Sequence, residues 1–272
     1  MSVAGLRRVV SRLEVLAGSR ARANAATLEA LRREPAEIML RGGMDPDPWQ
    51  TQVLGSDADQ IMLLCARQCG KSSIAAALAL RRALLVPRSP VLLLSPTLRQ
   101  SSELFRKIMD LFNALGRPVG VAAESALRME LTNGSRIVLL PGTEGTVRGF
   151  SGVAMLIIDE AARVSDALYY AVRPMLAVSR GRLVALSTPF GKRGWFHDSW
   201  HSGETWERVR INADQCPRIT REFLAEERKA LGERWYRQEY CTSFEDVIDA
   251  VFAWEDIQAA MSQDVQPLFP VS

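Results

Sequence analysis

Residues 65–72 read Cys-Ala-Arg-Gln-Cys-Gly-Lys-Ser and come directly after an apolar run, residues 61–64. An alanine-rich, helix-forming segment begins at Lys71. A Gly-Lys-Ser triplet between a strand and a helix is the setting of a P-loop, whose backbone N–H groups and helix N-terminus bind phosphate. Lys71 would reach the β- and γ-phosphates, and the Ser72 hydroxyl would bind Mg²⁺. The stretch therefore predicts a nucleoside triphosphate site, although Cys65 replaces the usual first glycine of such a loop.

The composition is that of an ordinary globular chain. The 272 residues are 47% hydrophobic and 24% charged, with 34 Lys and Arg against 31 Asp and Glu, a net charge of +3. These values exclude a disordered or low-complexity protein, and the small positive bias leaves a polyanionic partner open. No apolar run reaches the roughly 18 residues of a membrane span, so no membrane partner is expected.

Short apolar runs alternate with helical segments along most of the chain. Strands are predicted at residues 61–65, 91–95, 136–140, 154–158 and 183–187. Helices are predicted at residues 71–86, 99–115 and 166–178. Strands of nearly continuous Val, Ile and Leu that alternate with helices indicate a parallel α/β sheet. Residues 1–41 are predicted to be helical, and helices without strands are predicted from residue 220 onward.

Residues 155–160, Met-Leu-Ile-Ile-Asp-Glu, predict a buried strand that ends in two carboxylates. Asp159 would hold Mg²⁺ directly or through water, and Glu160 would polarise the attacking water. Acids also favour helix N-termini, so this pattern alone is weak. Together with the loop at residues 65–72 it predicts a nucleoside triphosphatase that carries its catalytic base on this strand.

The phosphate loop and four further segments resemble one family, the large subunit of viral, tailed-phage DNA-packaging terminases. The family's loop carries an Arg-Gln pair, as at Arg67 and Gln68, and often lacks the first glycine. The other segments are, in order, Pro48-Trp49-Gln50, Ser95-Pro96-Thr97 with Gln100-Ser101, Val147-Arg148-Gly149-Phe150-Ser151-Gly152, and Leu186-Ser187-Thr188-Pro189. The resemblance covers about residues 44–256.

The resemblance implies an ATP-hydrolysing motor that uses ATP and Mg²⁺ to move double-stranded DNA into a viral procapsid. The implied fold is a RecA-like P-loop core of the additional-strand, catalytic-glutamate class, with a mainly parallel central sheet, a small helical lid and an N-terminal helical extension. The expected divisions are residues 1–43 for the extension, 44–215 for the core and 216–256 for the lid. Residues 257–272 would begin a linker to a nuclease domain that is absent, so no nuclease activity is expected in this chain.

The resemblance also implies roles for individual residues. Nucleotide contacts are expected from Gln50, Arg67, Gln68, Cys69, Gly70, Lys71, Ser72, Ser73, Ser187 and Thr188. Ser72 and Asp159 would hold the metal, and Glu160 and Lys71 would act in catalysis. An arginine finger contributes about 10³–10⁵ in rate. Arg67 could supply it in cis, and Arg148 could supply it in trans from a neighbouring subunit, unless Arg148 is an ordinary loop cation.

Lys192 and Arg193 lie in a glycine-flanked basic loop just after the segment that resembles the family's coupling motif. They are candidates for contact with DNA phosphates, with a solvated surface loop as the alternative. The partners implied are double-stranded DNA, the portal protein and the small terminase subunit, in the cytoplasm of an infected bacterial host. A pentameric ring is expected on the portal, with a monomer in solution as the alternative. The competing functions are a superfamily 2 helicase-like translocase and a nucleotide-binding scaffold without turnover.

Overall fold

The fold is built on one eight-stranded sheet. The structure, a computed structural model, describes residues 3–141, 149–203 and 205–246, with side chains from residue 12 onward. The strands are β1 (Gln60–Cys65), β2 (Pro90–Ser95), β3 (Val121–Ser125), β4 (Arg128–Leu131), β5 (Arg136–Pro141), β6 (Met155–Asp159), β7 (Arg182–Ser187) and β8 (Glu207–Ile211). Their spatial order is β3-β4-β5-β2-β6-β7-β1-β8.

Six neighbouring strands of this sheet, from β5 to β8 in spatial order, run parallel, and only the β3–β4–β5 edge is antiparallel. The phosphate-loop strand β1 and the acidic strand β6 are separated by one strand, β7. This interposed strand is the feature expected of the additional-strand class. The prediction of a mainly parallel α/β sheet is therefore confirmed, with an antiparallel edge that the sequence did not suggest.

The central strands are apolar on both faces because each face is covered. Ile61 and Leu63 of β1 contribute to the core on one side, under α4 and α5, and Met62 and Leu64 contribute to the core on the other side. All four side chains are fully buried. Burial on both faces explains why these strands read as continuous apolar runs rather than as alternating patterns.

Helices in the described part of the chain are α1 (Val3–Arg33), α2 (Glu37–Arg41), α3 (Pro48–Gly55), α4 (Lys71–Leu85), α5 (Leu98–Ala114), α6 (Asp166–Val172), α7 (Gly194–His201) and α8 (Arg221–Tyr240). Short 3₁₀ turns occur at Ala161–Arg163, Arg173–Leu176 and Ala213–Gln215. Side-chain oxygens of Thr97, Ser165 and Thr220 cap α5, α6 and α8. Among the described residues, no helix is both long and apolar enough to cross a bilayer.

The five predicted strands are confirmed to within one residue at each end. The helix predicted over residues 166–178 is wrong in its second half, since α6 ends at Val172 and the chain continues as a 3₁₀ turn that contains Pro174. Proline lacks an N–H group and cannot continue an α-helix. The helical prediction from residue 220 holds for α8, which is broken at Gly232 by a φ of 76°.

Strands β3, β4 and β8 were not predicted. β3 lies at the edge of the sheet, is largely exposed, and reads Val-Ala-Ala-Glu-Ser, which has no apolar run. β8 reads Glu-Arg-Val-Arg-Ile and lies at the opposite edge beside β1. Edge strands need fewer buried side chains than central strands, so their sequences carry a weaker signal.

Candidate nucleotide site

The carboxyl ends of adjacent parallel strands meet at a cleft of about 720 Å³. Ligands of open α/β sheets bind at this edge of the sheet. The residues that line the cleft are Arg67, Gln68, Gly70, Lys71, Ser72, Ser73, Pro96, Thr97, Gln100, Lys107, Glu160, Arg163 and Thr188. The sheet thus brings most of the predicted site residues together, although they come from segments far apart in the chain.

The phosphate loop has the backbone shape that its sequence predicts. Gly70 is the N-cap of α4 in the left-handed region, with a φ of 86°, and Gln68 also has a positive φ of 60°. A Cβ atom at Gly70 would lie 2.7 Å from Nε2 of Gln50, so only glycine fits there without a shift. Lys71 is largely buried, and its Nζ donates a hydrogen bond to the carbonyl of Ala66 at 3.3 Å. The loop therefore curls around its own lysine at the start of α4.

Two cysteines of the loop are packed into the core. Cys65 is fully buried at the end of β1, and burial raises the pKa of its thiol to about 12. Cys69 is also fully buried, and its Sγ lies 2.7 Å from Sγ of Cys216, which follows β8. The side chain of Cys69 therefore faces Cys216, and only its backbone is left to serve the nucleotide contact predicted for it.

The acidic pair lies at the end of β6. Asp159 is 6% exposed, and burial, with the neighbouring Glu160 carboxylate, raises the pKa of Asp159 to about 6, against the opposing effect of Lys71. Glu160 has a φ of 50°, a left-handed conformation that is uncommon for a residue other than glycine. Its N–H group donates to Oδ1 of Asp159 at 3.0 Å, and its side chain lines the cleft. Strained backbone of this kind concentrates at functional sites.

Arg67 is tied to α8 rather than free in the cleft. Its Nε lies 2.5 Å from Oε2 of Glu239, and its backbone N–H donates to the Glu239 carbonyl at 2.9 Å. Glu239 is buried, whereas more than half of the Arg67 side chain is exposed. The hydrogen bond to Glu239 raises the pKa of Arg67 further. Arg67, the arginine finger predicted to act in cis, is therefore held in an ion pair with Glu239 of α8.

Gln50, one of the predicted nucleotide contacts, is held by a hydrogen bond at the start of α3. Its Oε1 accepts a hydrogen bond from the N–H group of Asp47 at 2.9 Å, and its Nε2 lies 3.5 Å from the carbonyl of Gly70. The Asp47 carboxylate forms two hydrogen bonds with Arg218, at 2.8 and 2.6 Å. A cavity of about 490 Å³ borders Gln50, Gly70 and Arg218, directly beside the phosphate loop. Gln50 is thus near the loop, but it is almost fully buried.

The segment after β7 contributes to the same cleft. Thr188 lines it, whereas the Ser187 hydroxyl is fully buried and has no hydrogen-bond partner among the described residues. Ser95, at the end of β2, likewise has a buried hydroxyl without a partner in that part of the chain. Buried polar atoms are normally paired, so hydroxyls of this kind are open to a water or a ligand group.

The two predicted DNA contacts are not among the residues that line the cleft. Arg148 falls outside the described residues. Nζ of Lys192 lies 3.3 Å from Oδ1 of Asp246, so part of its charge is neutralised within the protein. Arg193 lies over the ring of Phe190, with 5.3 Å from its Cζ to the ring centroid. The basic loop is therefore partly engaged in internal contacts.

Lys107 and Arg163 line the cleft but were not among the predicted site residues. Lys107 lies seven residues after Gln100 on α5, and it opposes the rise in the pKa of Asp159. Helical spacing from Gln100 could have pointed to Lys107. Arg163 follows Glu160 by three residues, and its proximity depends on a 3₁₀ turn that the sequence did not predict.

Comparison with known proteins places these features in one family. Residues 62–259 match the family described as the N-terminal part of the terminase large subunit, T4likevirus-type. The fold is similar to the Thermus phage P74-26 large terminase ATPase domain, with 22% identity, a TM-score of 0.67, and coverage of 77% of this chain and 97% of that chain. A comparison with curated proteins finds no match.

Two longer large terminases have the same fold. That of bacteriophage HK97 is 16% identical, with a TM-score of 0.63 and coverage of 74% of this chain and 51% of that one. Another, from a thermophilic bacteriophage and solved in complex with ADP, is 13% identical, with a TM-score of 0.63 and coverage of 73% and 53%. The chain therefore spans about half of these two relatives.

The family match covers well over half of the chain, and the strand order and the phosphate loop agree with it. This favours the packaging motor over the helicase-like translocase and over a scaffold without turnover. The chain belongs to the terminase large-subunit family of tailed phages, in which it is the ATP-hydrolysing domain of a DNA-packaging motor.

Proposed function

We propose that the cleft at the carboxyl ends of β1, β6 and β7 binds ATP with Mg²⁺, and that its hydrolysis drives double-stranded DNA into a procapsid. The observation that carries this proposal is the meeting of Lys71, Glu160 and Thr188 in one cleft, with Asp159 beneath it. The large terminase of the thermophilic bacteriophage has been solved in complex with ADP and with ATP-γ-S, which supports a nucleotide in the corresponding place.

The phosphates would lie against the loop at the N-terminus of α4. Backbone N–H groups of residues 68–73 and the partial positive charge of the helix would bind phosphate oxygens. Lys71 would exchange its hydrogen bond to the Ala66 carbonyl for the β- and γ-phosphates. Glu160 would orient the attacking water and take up its proton, and Thr188, with Ser187 beside it, would sense the γ-phosphate.

The residues of the cleft fit a magnesium ion. Mg²⁺ binds through one or two carboxylates, hydroxyls and substrate phosphates, and it keeps several waters. Asp159 offers a carboxylate whose pKa is raised by burial and by the neighbouring Glu160, and Ser72 offers a hydroxyl in the same cleft. The ion would neutralise charge on the phosphates when it is bound.

Two arginines are proposed to stabilise the negative charge on the γ-phosphoryl group in the transition state. Arg67 can act in cis once it leaves Glu239, to which it is now paired. Arg148, supplied by a neighbouring subunit, would act in trans. The two roles differ in their concentration dependence, because only a finger supplied in trans requires assembly of the ring.

The adenine base is proposed to lie in the cavity beside Gln50 and Gly70. Gln50 already accepts from the Asp47 N–H group, so it would share its amide between α3 and the base. The cavity volume of about 490 Å³ is adequate for a purine. Cys69 would contribute through its backbone, because its thiol faces Cys216.

Residues 44–215 would form the motor core, residues 216–256 its lid and residues 1–43 an N-terminal extension. Residues 257–272 would begin a linker. Duplex DNA, the portal protein and the small terminase subunit are the proposed partners, with a pentameric ring on the portal. Lys192 and Arg193 would contact DNA phosphates after Lys192 leaves Asp246. The setting would be the cytoplasm of an infected bacterium.

ATP turnover measured with and without duplex DNA tests this function. Wild-type protein should hydrolyse ATP, DNA should accelerate it, and Glu160→Gln should lose about 10²–10⁴ in rate while still binding nucleotide. If the wild type and Glu160→Gln hydrolyse ATP equally slowly, the motor function is wrong. Arg148→Ala should lose the part of the turnover that rises with protein concentration.

A further inference from the structure

We infer that Arg163 is a positioning residue that couples the orientation of Glu160 to the segment following the Ser187-Thr188 motif. This inference rests on the proposed function, since it assigns a control to the same catalytic base. Nε of Arg163 lies 4.0 Å from Oε2 of Glu160. Its Cζ lies 4.1 Å from the centroid of the Phe190 ring. One guanidinium thus touches both the catalytic base and the chain that leaves β7.

A 3₁₀ turn brings Arg163 back over Glu160. The turn covers Ala161–Arg163 and is closed by a 2.8 Å hydrogen bond from the Arg163 N–H group to the Glu160 carbonyl. Glu160 is the left-handed N-cap of this turn, and Nε of Arg163 returns to 4.0 Å from Oε2 of Glu160. The turn therefore places the Arg163 side chain on the same side as that of Glu160.

The base of the turn is fixed, so movement is confined to side chains. Nε1 of Trp195 on α7 donates to the carbonyl of Val164 at 3.1 Å, and the backbone N–H of Trp195 donates to Oδ1 of Asp166 at 2.8 Å. The Trp195 ring stacks on Tyr169 at 3.8 Å between ring centroids. The side chain of Arg163, by contrast, is about one-third exposed.

Phe190 links Arg163 to the segment after β7 and to the basic loop that contains Arg193. It comes directly after the Ser187-Thr188-Pro189 segment, whose Thr188 lines the cleft, and it precedes the basic loop. Arg193 of that loop also lies over the Phe190 ring. A displacement of this loop by DNA would move the aromatic platform of Arg163, and the ion pair to Glu160 would change with it.

The other charged groups around Glu160 are consistent with a role of Arg163 in restraining the Glu160 carboxylate. Asp159 adjoins it, and Lys71, Lys107 and Arg67 face the same cleft, but Arg67 is already paired with Glu239. Of the cleft cations, Arg163 is within 4.0 Å of the Glu160 carboxylate. While it stays there, it attracts the carboxylate that must orient the water. Displacement of Arg163 frees Glu160 for the hydrolytic step.

The test compares Arg163→Met and Phe190→Leu in ATP turnover with and without duplex DNA. In both variants the kcat without DNA should rise about fivefold, the factor that corresponds to a loose, part-exposed ion pair. The KM for ATP should stay unchanged, and the ratio of DNA-stimulated to basal turnover should fall toward one. The double variant should equal either single variant, because both changes break one coupling.

Two controls separate this effect from general damage. Arg117→Met removes an arginine that lies over Phe112, near the end of α5 away from the cleft, and should leave the kcat and the stimulation ratio as in the wild type. Phe190→Tyr keeps the aromatic face and should retain the wild-type stimulation ratio. If Arg163→Met does not fold, Phe190→Leu and Phe190→Tyr still decide the question.

Three outcomes would overturn the inference. If Arg163→Met turns over ATP about 100-fold more slowly or worse, as expected on loss of a charged transition-state donor, Arg163 is a phosphate ligand. If the double variant Arg163→Met, Glu160→Gln binds a fluorescent ATP analogue more weakly than Glu160→Gln alone, Arg163 is likewise a phosphate ligand. Unchanged stimulation ratios in both Arg163→Met and Phe190→Leu would remove the coupling. The proposed function fails separately, by equal turnover of the wild type and Glu160→Gln.

Discussion

The two ends of the central parallel strands treat their polar groups differently. At the amino end, Arg182 donates hydrogen bonds to the carbonyls of Ala58 and Ser56, at 2.7 and 2.6 Å. At the carboxyl end, Asp159 is buried with a raised pKa, and the hydroxyls of Ser95 and Ser187 have no partner among the residues that the structure describes. At the amino end Oε1 of Gln60 is also buried without a partner in the described part of the chain. The contrast therefore lies between Arg182, which satisfies two carbonyls at that end, and the buried carboxylate and hydroxyls of the carboxyl end.

The difference indicates that the carboxyl end of the sheet carries groups that lower the stability of the fold and serve its chemistry. A buried carboxylate without a full counter-charge, or a buried hydroxyl without a partner, costs free energy of folding, whereas a cation that satisfies part-buried carbonyls contributes to it. Perturbed pKa values and strained backbone, as at Asp159 and Glu160, are typical of functional sites. Changes at the carboxyl end should therefore alter turnover more than stability, and changes at the amino end should do the reverse.

The largest expected effect is that of Lys71→Ala at the carboxyl end. Loss of a charged donor to the developing phosphate charge should lower kcat/KM for ATP at least about 100-fold. The urea midpoint should change little, because the hydrogen bond that Lys71 donates to the Ala66 carbonyl is long, at 3.3 Å. Lys229→Ala, at an exposed position on α8, is the matched control. Turnover of Lys71→Ala close to that of the wild type would contradict the assignment of catalysis to the carboxyl end of the strands.

At the amino end, Arg182→Met should destabilise the protein without affecting ATP. The change leaves two part-buried carbonyls without a donor and removes one of the two donors to the Ser56 hydroxyl, at a cost of about 1–3 kcal/mol in the free energy of unfolding. Urea denaturation measures this cost, and the KM for ATP should match that of the wild type. An unchanged urea midpoint would contradict the role assigned to Arg182.

Asp159→Asn should stabilise the nucleotide-free protein while it lowers turnover. The folded pKa of Asp159, about 6, lies above the ordinary value of 3.8. The folded state therefore binds this proton more tightly, and the stability contributed by Asp159 falls as pH rises through this range. Above about pH 6, asparagine should raise the free energy of unfolding by about 1–3 kcal/mol.

Urea denaturation in EDTA at about pH 5 and about pH 7.5 measures the effect of Asp159→Asn. The gain over the wild type should be larger at the higher pH than at the lower one. Asp110→Asn, an exposed change on α5, should show no such difference. A variant less stable than the wild type at the higher pH would mean that the Asp159 carboxylate is well compensated in the folded protein.

The smallest expected effect is that of Glu239→Gln, which weakens the tie between α8 and Arg67. Because Arg67 is more than half exposed, the ion pair is worth less than about 1 kcal/mol, and binding of a fluorescent ATP analogue should tighten by less than about fivefold. Glu226→Gln, exposed on the same helix, is the control. Weaker binding in Glu239→Gln would mean that the pair holds the loop in its binding shape.

Much of the cleft could be predicted from local sequence. The loop at residues 65–72 and the acidic pair at Asp159 and Glu160 are contiguous patterns, each with a strand before it, and both occur where predicted. Lys107 and Arg163 were missed because their nearness to the cleft depends on how α5 packs and on a single 3₁₀ turn. The engagement of Lys192 with Asp246 joins residues 54 apart and has no local signal.

The parallel core and the phosphate loop follow from local sequence patterns. Continuous apolar runs specify strands buried on both faces, and the glycine at position 70 permits the left-handed turn that starts α4. Which charged side chains meet depends instead on the assembled fold. Arg67 pairs with Glu239 across 172 residues, and Asp47 pairs with Arg218 across 171. The physical reason is that hydrophobic periodicity is read within one element, whereas an ion pair depends on strand order and on the packing of distant elements.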